Sequence, residues 1–346
     1  MATETLPPPP SDPAEAAAWI EFYYQQSWSD GLPLVPPTEE SVQAMLAAGK
    51  LTADGIIGTI PERNSVIPSE KVAINAVMAG CLPEYFPVVL ATVKALCNPD
   101  FAYHNPATST GGSALAIIVN GPIAQELGIN TGNNLFGPGY RPNATIGRAL
   151  RLVMMNVLNT RPGLLDRATL GNPGKYTLCF AEDEANNPWQ PLHVERGFRP
   201  QDSTITLYAS NTLMGVYNQL ASTPEPLLRE FADAICNLAT PNVYGFNQTL
   251  IVLAGEHTEV LRQSGWSKHQ IREFLVQYAR RTVADFKRAA RLPGEITPED
   301  ETTWRYVLRN PDDLLIVCAG GQAGSWSACL PGWGNKWTRS ITVPIE

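Results

Sequence analysis

Three stretches of the chain are apolar without interruption, and each stops at glycine: LAIIVNG at 115–121, LIVLAG at 250–255 and LLIVCAG at 314–320. Runs this short, β-branched and free of polar alternation predict strands buried on both faces, with helices flanking a mostly parallel or mixed sheet. The first two also continue alike, GPIAQELG after one and GEHTEVLRQSG after the other, each a helix-like segment with leucine before a closing glycine. They read either as a weak internal duplication of strand–glycine–helix units or as the common likeness of buried β–α units in any α/β protein.

Helical periodicity fills much of the remainder. PAEAAAWIEFYYQQSW reads as a first helix and Thr38 as the cap of a second, after a Pro-rich turn. Residues 69–80 read as a helix capped by Ser69, and PEYFPVVLATVKALCN as another with proline in its first turn. KYTLCFAEDE and STITLYAS read as strands, and RPNATIGRALRLVMMNVLN as a long buried helix. One helix is expected over 267–292, opened by a Ser267–Gln270 capping box, with Ile271, Phe274, Leu275, Tyr278 and Phe286 on its apolar face.

The expected fold class is therefore α/β. Its 346 residues suffice for two lobes, drawn at 14–175 and 176–346 after a disordered leader over 1–13. A net charge of −8 argues against nucleic-acid or anionic-membrane partners, which need clustered Lys and Arg. No apolar run approaches the roughly 18 residues of a membrane span. Six cysteines at 81, 97, 179, 236, 318 and 329 form no CxxC pair, so reduced thiols and a cytoplasmic location are expected. The expected partners are a small anionic substrate and further copies of the chain in a homo-oligomer.

Ligands of open α/β sheets sit beyond the carboxyl ends of strands, so the glycine turns come first. Glu256 and His257 follow the strand at 250–254, where an imidazole titrating near neutrality serves as general acid or base, or alternatively caps the next helix. Gly320, Gly321 and Ser325 belong to a turn, AGGQAGSWSA, that suits an oxyanion or carboxylate nest, or is a plain turn before a terminal strand; it lacks GxGxxG and GK[ST]. Glu182, Asp183 and Glu184 leave a strand together, with His193, Glu195 and Arg196 following, a grouping that suits proton transfer or cation binding, or is only a solvated acidic loop. Asn143 or Thr145 is the expected cap of the helix in RPNATIGRALRL, with Arg141 and Arg148 near a helix end that holds an anion, or else the arginines pair with acids and no ligand is involved. Cys81 is the first thiol candidate, though no cation adjoins it in sequence. The cofactor stays open: a metal on Glu182 or Glu184 with His193 or His257 lacks HxxxH or HxH spacing. Ser113 after TGG, or a serine of GSWS, is a further nucleophile candidate without a lysine beside it.

The segments SWSDGLPLVPPT, VMAGCLPEYFPVVL, IVNGPIAQELGIN, GPGYRPNATIGRALRLV and GKYTLCFAEDE with PLHVERGF resemble the UGSC-motif (seleno)protein group over residues 27 to 345. The resemblance implies an α/β enzyme of unknown reaction in a thiol or selenol redox context, and assigns no catalytic residue. The group's Gly-Pro-Glu-His turn is matched at Gly255 to His257 without the proline. Its Lys-His tail turn is replaced here by Gly324, Ser325 and Trp326, its histidine near 108–110 by Thr and Ser, and no UGSC tetrapeptide is present. Those departures point to an altered substrate or mechanism.

The expectation is an enzyme using acid–base lyase or hydrolase chemistry on a small anion, with Cys81 as the nucleophile in one branch. His257 would move the proton, Glu256 or Glu182 would orient it, and Asn143 with Arg141 would hold a carboxylate. A thiol-dependent oxidoreductase and a non-catalytic binding or subunit protein are the alternatives.

Overall fold

Where the side chains of the buried strands go decides the architecture. The computed structural model describes residues 12–245, 247–333 and 337–346. In chain order it holds α1 (Pro13–Gln25), α2 (Glu39–Ala48), β1 (Ile56–Ile60), β2 (Ser65–Pro68), α3 (Ser69–Ala79), α4 (Phe86–Leu96), α5 (His104–Thr108) and β3 (Ala114–Asn120). The middle continues with α6 (Ile123–Glu126), α7 (Arg141–Asn156), β4 (Cys179–Ala181), α8 (Leu192–Glu195), β5 (Thr204–Ser210), β6 (Met214–Tyr217) and α9 (Pro224–Ile235). Then follow β7 (Thr249–Leu253), α10 (Gly255–Gln263), α11 (Lys268–Tyr278), β8 (Arg280–Thr282), α12 (Val283–Arg288), β9 (Trp304–Tyr306), β10 (Leu314–Cys318), β11 (Trp326–Pro331) and β12 (Ile341–Pro344).

Two four-stranded sheets carry the fold, ordered β12-β5-β3-β4 and β10-β7-β11-β6. Along β3, Leu115, Ile117 and Val119 enter a core shared with α3, α4 and α7, while Ala114, Ala116 and Ile118 enter a second core. That second core also takes Leu250 and Val252 of β7, Leu315 and Val317 of β10, and Leu330 of β11. The intervening residues Ile251, Leu253, Ile316 and Cys329 pack against α9, α10 and α11. Period-2 alternation thus stacks the sheets face to face and covers each outer face with helices, a four-layer α/β/β/α arrangement. An uninterrupted apolar strand is required here because one face meets helices and the other meets a sheet.

The chain runs through this pattern twice. Helix α4 lies over β5 and β12, and α9 lies over β6 and β11. After α4 the shared elements are β3, α6, α7, β4 and β5, with α5 and α8 added; after α9 they are β7, α10, α11, β10 and β11, with β8, α12 and β9 added. In each unit the second strand pairs parallel to the first and the third pairs antiparallel on its other side. Registers agree: Val119 faces Ala181 as Leu253 faces Cys318, and Ile117 faces Leu207 as Ile251 faces Cys329. Each unit then gives its last strand to the other sheet, β6 to β11 and β12 to β5. The likeness first visible in two glycine-terminated runs extends to a whole repeated topology.

Three boundaries differ from the sequence reading. The division drawn at 175 falls inside the first sheet, between β3 and β4, and β12 returns to that sheet from the far end of the chain. The helix expected over 267–292 stops at Tyr278, because Arg280–Thr282 pairs with Trp304–Tyr306 and Thr282 with Asp285 forms a second capping box that opens α12. Ser69 does not cap α3; it is the first helical residue, after Pro68. The leader expected over 1–13 lies outside the described residues except for Asp12 and Pro13, where Asp12 caps α1.

Candidate functional site

A cleft of about 400 Å³ opens at the carboxyl ends of β7 and β10. It forms where α10 leaves β7. Gly255, Thr258, Glu259 and Arg262 lie at i, i+3, i+4 and i+7, so one polar face of α10 lines the cleft. Asp183 and Asn186 come from the loop after β4, and Cys318, Ala319, Gly320 and Gln322 from β10 and its turn. Glycine is needed at 255, since a Cβ there would lie 2.6 Å from Gln322 Cα. Gly320, at φ +112°, bends the chain so that its N–H donates to the Thr131 carbonyl at 2.7 Å. That bond ties the turn to the loop after α6, and Asp183 N–H donates to the Cys318 carbonyl at 2.7 Å, joining the two sheets at their exits.

The turn at 320–325 is an anion nest whose occupant is the protein itself. Glu256 accepts from Ser325 Oγ–H and from the backbone N–H groups of Gly324 and Ser325, which hold its carboxyl below the usual range. Gly321 serves as an acceptor, its carbonyl taking the Gly255 N–H at 3.1 Å. Glu259 binds Arg262 in a two-pronged pair at 2.5 and 2.6 Å. Asp183 accepts from Asn186 Nδ2 at 2.8 Å. Three carboxylates therefore border the cleft with one guanidinium, which is already engaged. Cys318 Sγ lies against Asn187 and Thr258, and burial pushes its thiol up to about 12, so it is protonated at neutral pH.

Of the residues expected from sequence, the cleft takes in Glu256 and Gly320, with Gly321 and Ser325 in the turn that holds Glu256. His257 does not join them. It is two residues along α10 from Gly255 and turns toward Phe231 of α9, fully buried. Nε2 lies 3.1 Å from the Asn218 carbonyl, which can only accept, so Nε2 carries the proton and Nδ1 accepts from Ser327 Oγ–H at 2.8 Å. Burial lowers the imidazole's pKa and keeps it neutral. An imidazole with both nitrogens engaged and no open face is a strut between α10, β11 and the loop after β6.

Glu182 lies beneath the cleft, outside its lining. Its carboxylate accepts from Asn120 Nδ2 at 2.7 Å, Asn187 Nδ2 at 2.8 Å, Leu192 N–H at 2.8 Å and Cys318 N–H at 3.4 Å, with Lys268 Nζ at 3.9 Å. Burial raises its pKa against those donors. This is a hub joining β3, β4, β10 and α8. His193 is wholly buried on α8 with Nδ1 3.7 Å from Glu184, and neither ring nitrogen has a hydrogen-bond partner among the described residues. Glu184 instead accepts from Gly121 N–H at 2.7 Å and Asn120 Nδ2 at 2.9 Å. Among the described residues, no group of three or more His, Cys, Asp or Glu side chains is placed to hold a metal ion.

The residues expected to hold an anion occupy a different place. Helix α7 begins at Arg141 behind Tyr140, so Asn143 is an interior residue; it receives Asn130 N–H at 2.8 Å and donates to the Cys179 carbonyl at 3.0 Å. Arg141 donates to the Gly80 carbonyl at 3.0 and 3.1 Å, closing the end of α3. Arg148 grips Asp30 through two bonds of 2.8 Å and so anchors the N-terminal arm. Cys81 does lie near Arg141, Arg148 and Thr145, yet burial outweighs them and pushes its thiol up to about 12. None of these four residues reaches the cleft. The six cysteines are all free thiols.

The cleft residues missed from sequence are Asn186, Thr258, Glu259, Arg262 and Gln322. A signal for three of them was present: 258, 259 and 262 share one helical face with Gly255 directly after a strand end, whereas His257 shares its face with Leu261. No protein-family model matches the chain, and no curated protein matches it.

Proposed function

We propose that this protein is a small-molecule enzyme or receptor whose ligand enters the cleft between α10 and the exits of β7 and β10, and that the ligand carries a positive charge. The observation that carries this reading is the balance of the lining: Glu256 and Asp183 border the cleft with no ion pair to a cation among the described residues, and Arg262 is held by Glu259. A cleft of about 400 Å³ suits a small metabolite, and strand carboxyl ends are where such ligands bind in α/β sheets. This reverses the expected sign of the substrate, because Arg141, Arg148 and Asn143 are spent on Gly80, Asp30 and Asn130.

The chemistry available there is proton transfer by carboxylate, with Asp183 the group nearest a role as acid or base and Glu256 a fixed negative anchor. That keeps a lyase or hydrolase as the reaction class. Neither His257 nor a thiolate takes part, since the first is sealed and Cys318 is protonated. The test is thermal unfolding of the full chain with putrescine, agmatine and choline set against succinate and citrate. A saturable rise with an amine, lost in Asp183→Asn and Glu256→Gln, supports the reading; a rise with the dicarboxylates that those variants leave intact overturns it.

A further inference from the structure

A second pocket lies at the opposite, amino end of the first sheet, where β3 and β4 begin beside α7. It is a cavity of about 20 Å³ lined by Ser113, Leu115, Gly147, Arg151, Gly174 and Lys175, among others. Its charge is out of balance. Asp166 accepts from Lys175 Nζ at 2.8 Å through both oxygens and from Arg151 Nη2 at 3.1 Å, so two cations share one carboxylate. All three side chains are withdrawn from water, with 15%, 9% and 7% exposure for Lys175, Arg151 and Asp166. A buried ion pair offsets the cost of desolvation only when its charges are matched, and here one positive charge is left over.

Ser113 supplies the second observation. It is buried at 6% exposure, it borders the cavity, and its hydroxyl has no hydrogen-bond partner among the described residues. A buried hydroxyl without a partner costs free energy comparable to a lost hydrogen bond, so its place in the lining calls for an acceptor beside it. The alternative of a nucleophilic serine activated by lysine does not hold. Lys175 lines the same pocket but spends its ammonium on Asp166, and no base among the described residues lies within hydrogen-bond distance of Ser113 Oγ.

We propose that this pocket binds a small inorganic anion, of the size of a halide, held by Ser113 Oγ–H and the surplus charge of Lys175 and Arg151. A cavity of about 20 Å³ holds roughly one water-sized particle, which excludes phosphate, dicarboxylates and nucleotides. The anion completes the charge balance at the amino end of β3 and β4 and acts as a fixed structural ligand distant in the fold from the α10 cleft.

Two experiments decide it. Crystals soaked in sodium bromide are expected to give an anomalous peak within hydrogen-bond distance of Ser113 Oγ; water density alone there overturns the proposal. In solution, replacing sodium gluconate by sodium chloride at constant ionic strength raises the melting temperature of the full chain saturably. Ser113→Ala weakens the apparent chloride affinity about tenfold, the loss of one hydrogen bond to a charged group, and Lys175→Met abolishes the effect. Ser113→Ala is the small change that keeps the test open should Lys175→Met not fold. A chloride response equal in the wild type and in Ser113→Ala, or no difference between chloride and gluconate, contradicts it.

Discussion

The exits of β3 and β7 are the same junction built twice, and they end differently. At the first, Gly121 N–H donates to the carboxylate of Glu184, which also takes Asn120 Nδ2, and the helix that follows has only four residues. At the second, Gly255 N–H donates to the backbone carbonyl of Gly321, and a nine-residue helix carries Glu256 sideways into the turn at 324–325. A side chain fills the first junction, whereas the second leaves a cleft. Repeated topology thus builds the same exit twice, and the residue three beyond the parallel strand differs between the two. Glu184 and Gly321 occupy corresponding positions, so a carboxylate in one unit stands where a glycine does in the other.

Substitutions that remove the struts sharpen the comparison most. Glu182→Ala deprives four donors and Lys268 of their acceptor in a sealed site, and urea titration is expected to show a loss of about 3–5 kcal/mol. A loss below about 1 kcal/mol would mean that Glu182 is not the hub between the sheets. His257→Ala removes the contact among α10, β11 and the loop after β6, with an expected cost of about 2 kcal/mol, while amine binding in the cleft persists.

The same histidine sets a pH dependence. Its folded pKa is lowered, so the unfolded chain takes the proton first; the stabilisation is complete above the ordinary imidazole value near 6.5 and is lost as pH falls below it. Melting temperatures of wild type and His257→Gln measured from pH 7.5 to 5 are expected to converge toward acid, and parallel curves would remove His257 from that role. Glu184→Ala unplugs the first junction at about 1 kcal/mol and leaves the cleft's affinity unchanged. The smallest effect on stability, under about 0.5 kcal/mol, is expected for Ser325→Ala, which frees Glu256 from its hydroxyl and shifts amine affinity several-fold by calorimetry.

The strands were legible in the sequence because burial on both faces leaves LAIIVNG, LIVLAG and LLIVCAG apolar apart from Asn120 at the end of the first, and the two matching continuations carried a trace of the repeat. The swap of β6 and β12 was not legible, since short strands such as MGVY and ITVP gain their partners from residues 109 or more positions away in register. The cleft lies at a strand exit, the kind of place the sequence pointed to, but few of the side chains expected there line it. Glu182, His257 and Asn143 are polar residues beside strand or helix ends, and only distant acceptors and donors such as Cys318, Ser327 and Cys179 turn them into struts. Helical phase was the unused local clue: it separates His257 from Glu259 although both follow the same glycine.

The most direct measurement is an amide chemical-shift map of the full chain titrated with agmatine. Saturable shifts gathered on Asp183, Gly255, Glu259 and Gln322, with Gly121 and Glu184 unmoved, are the expected result. Shifts confined to the Gly121 junction, or none at either junction, would contradict the assignment of the open unit as the ligand site.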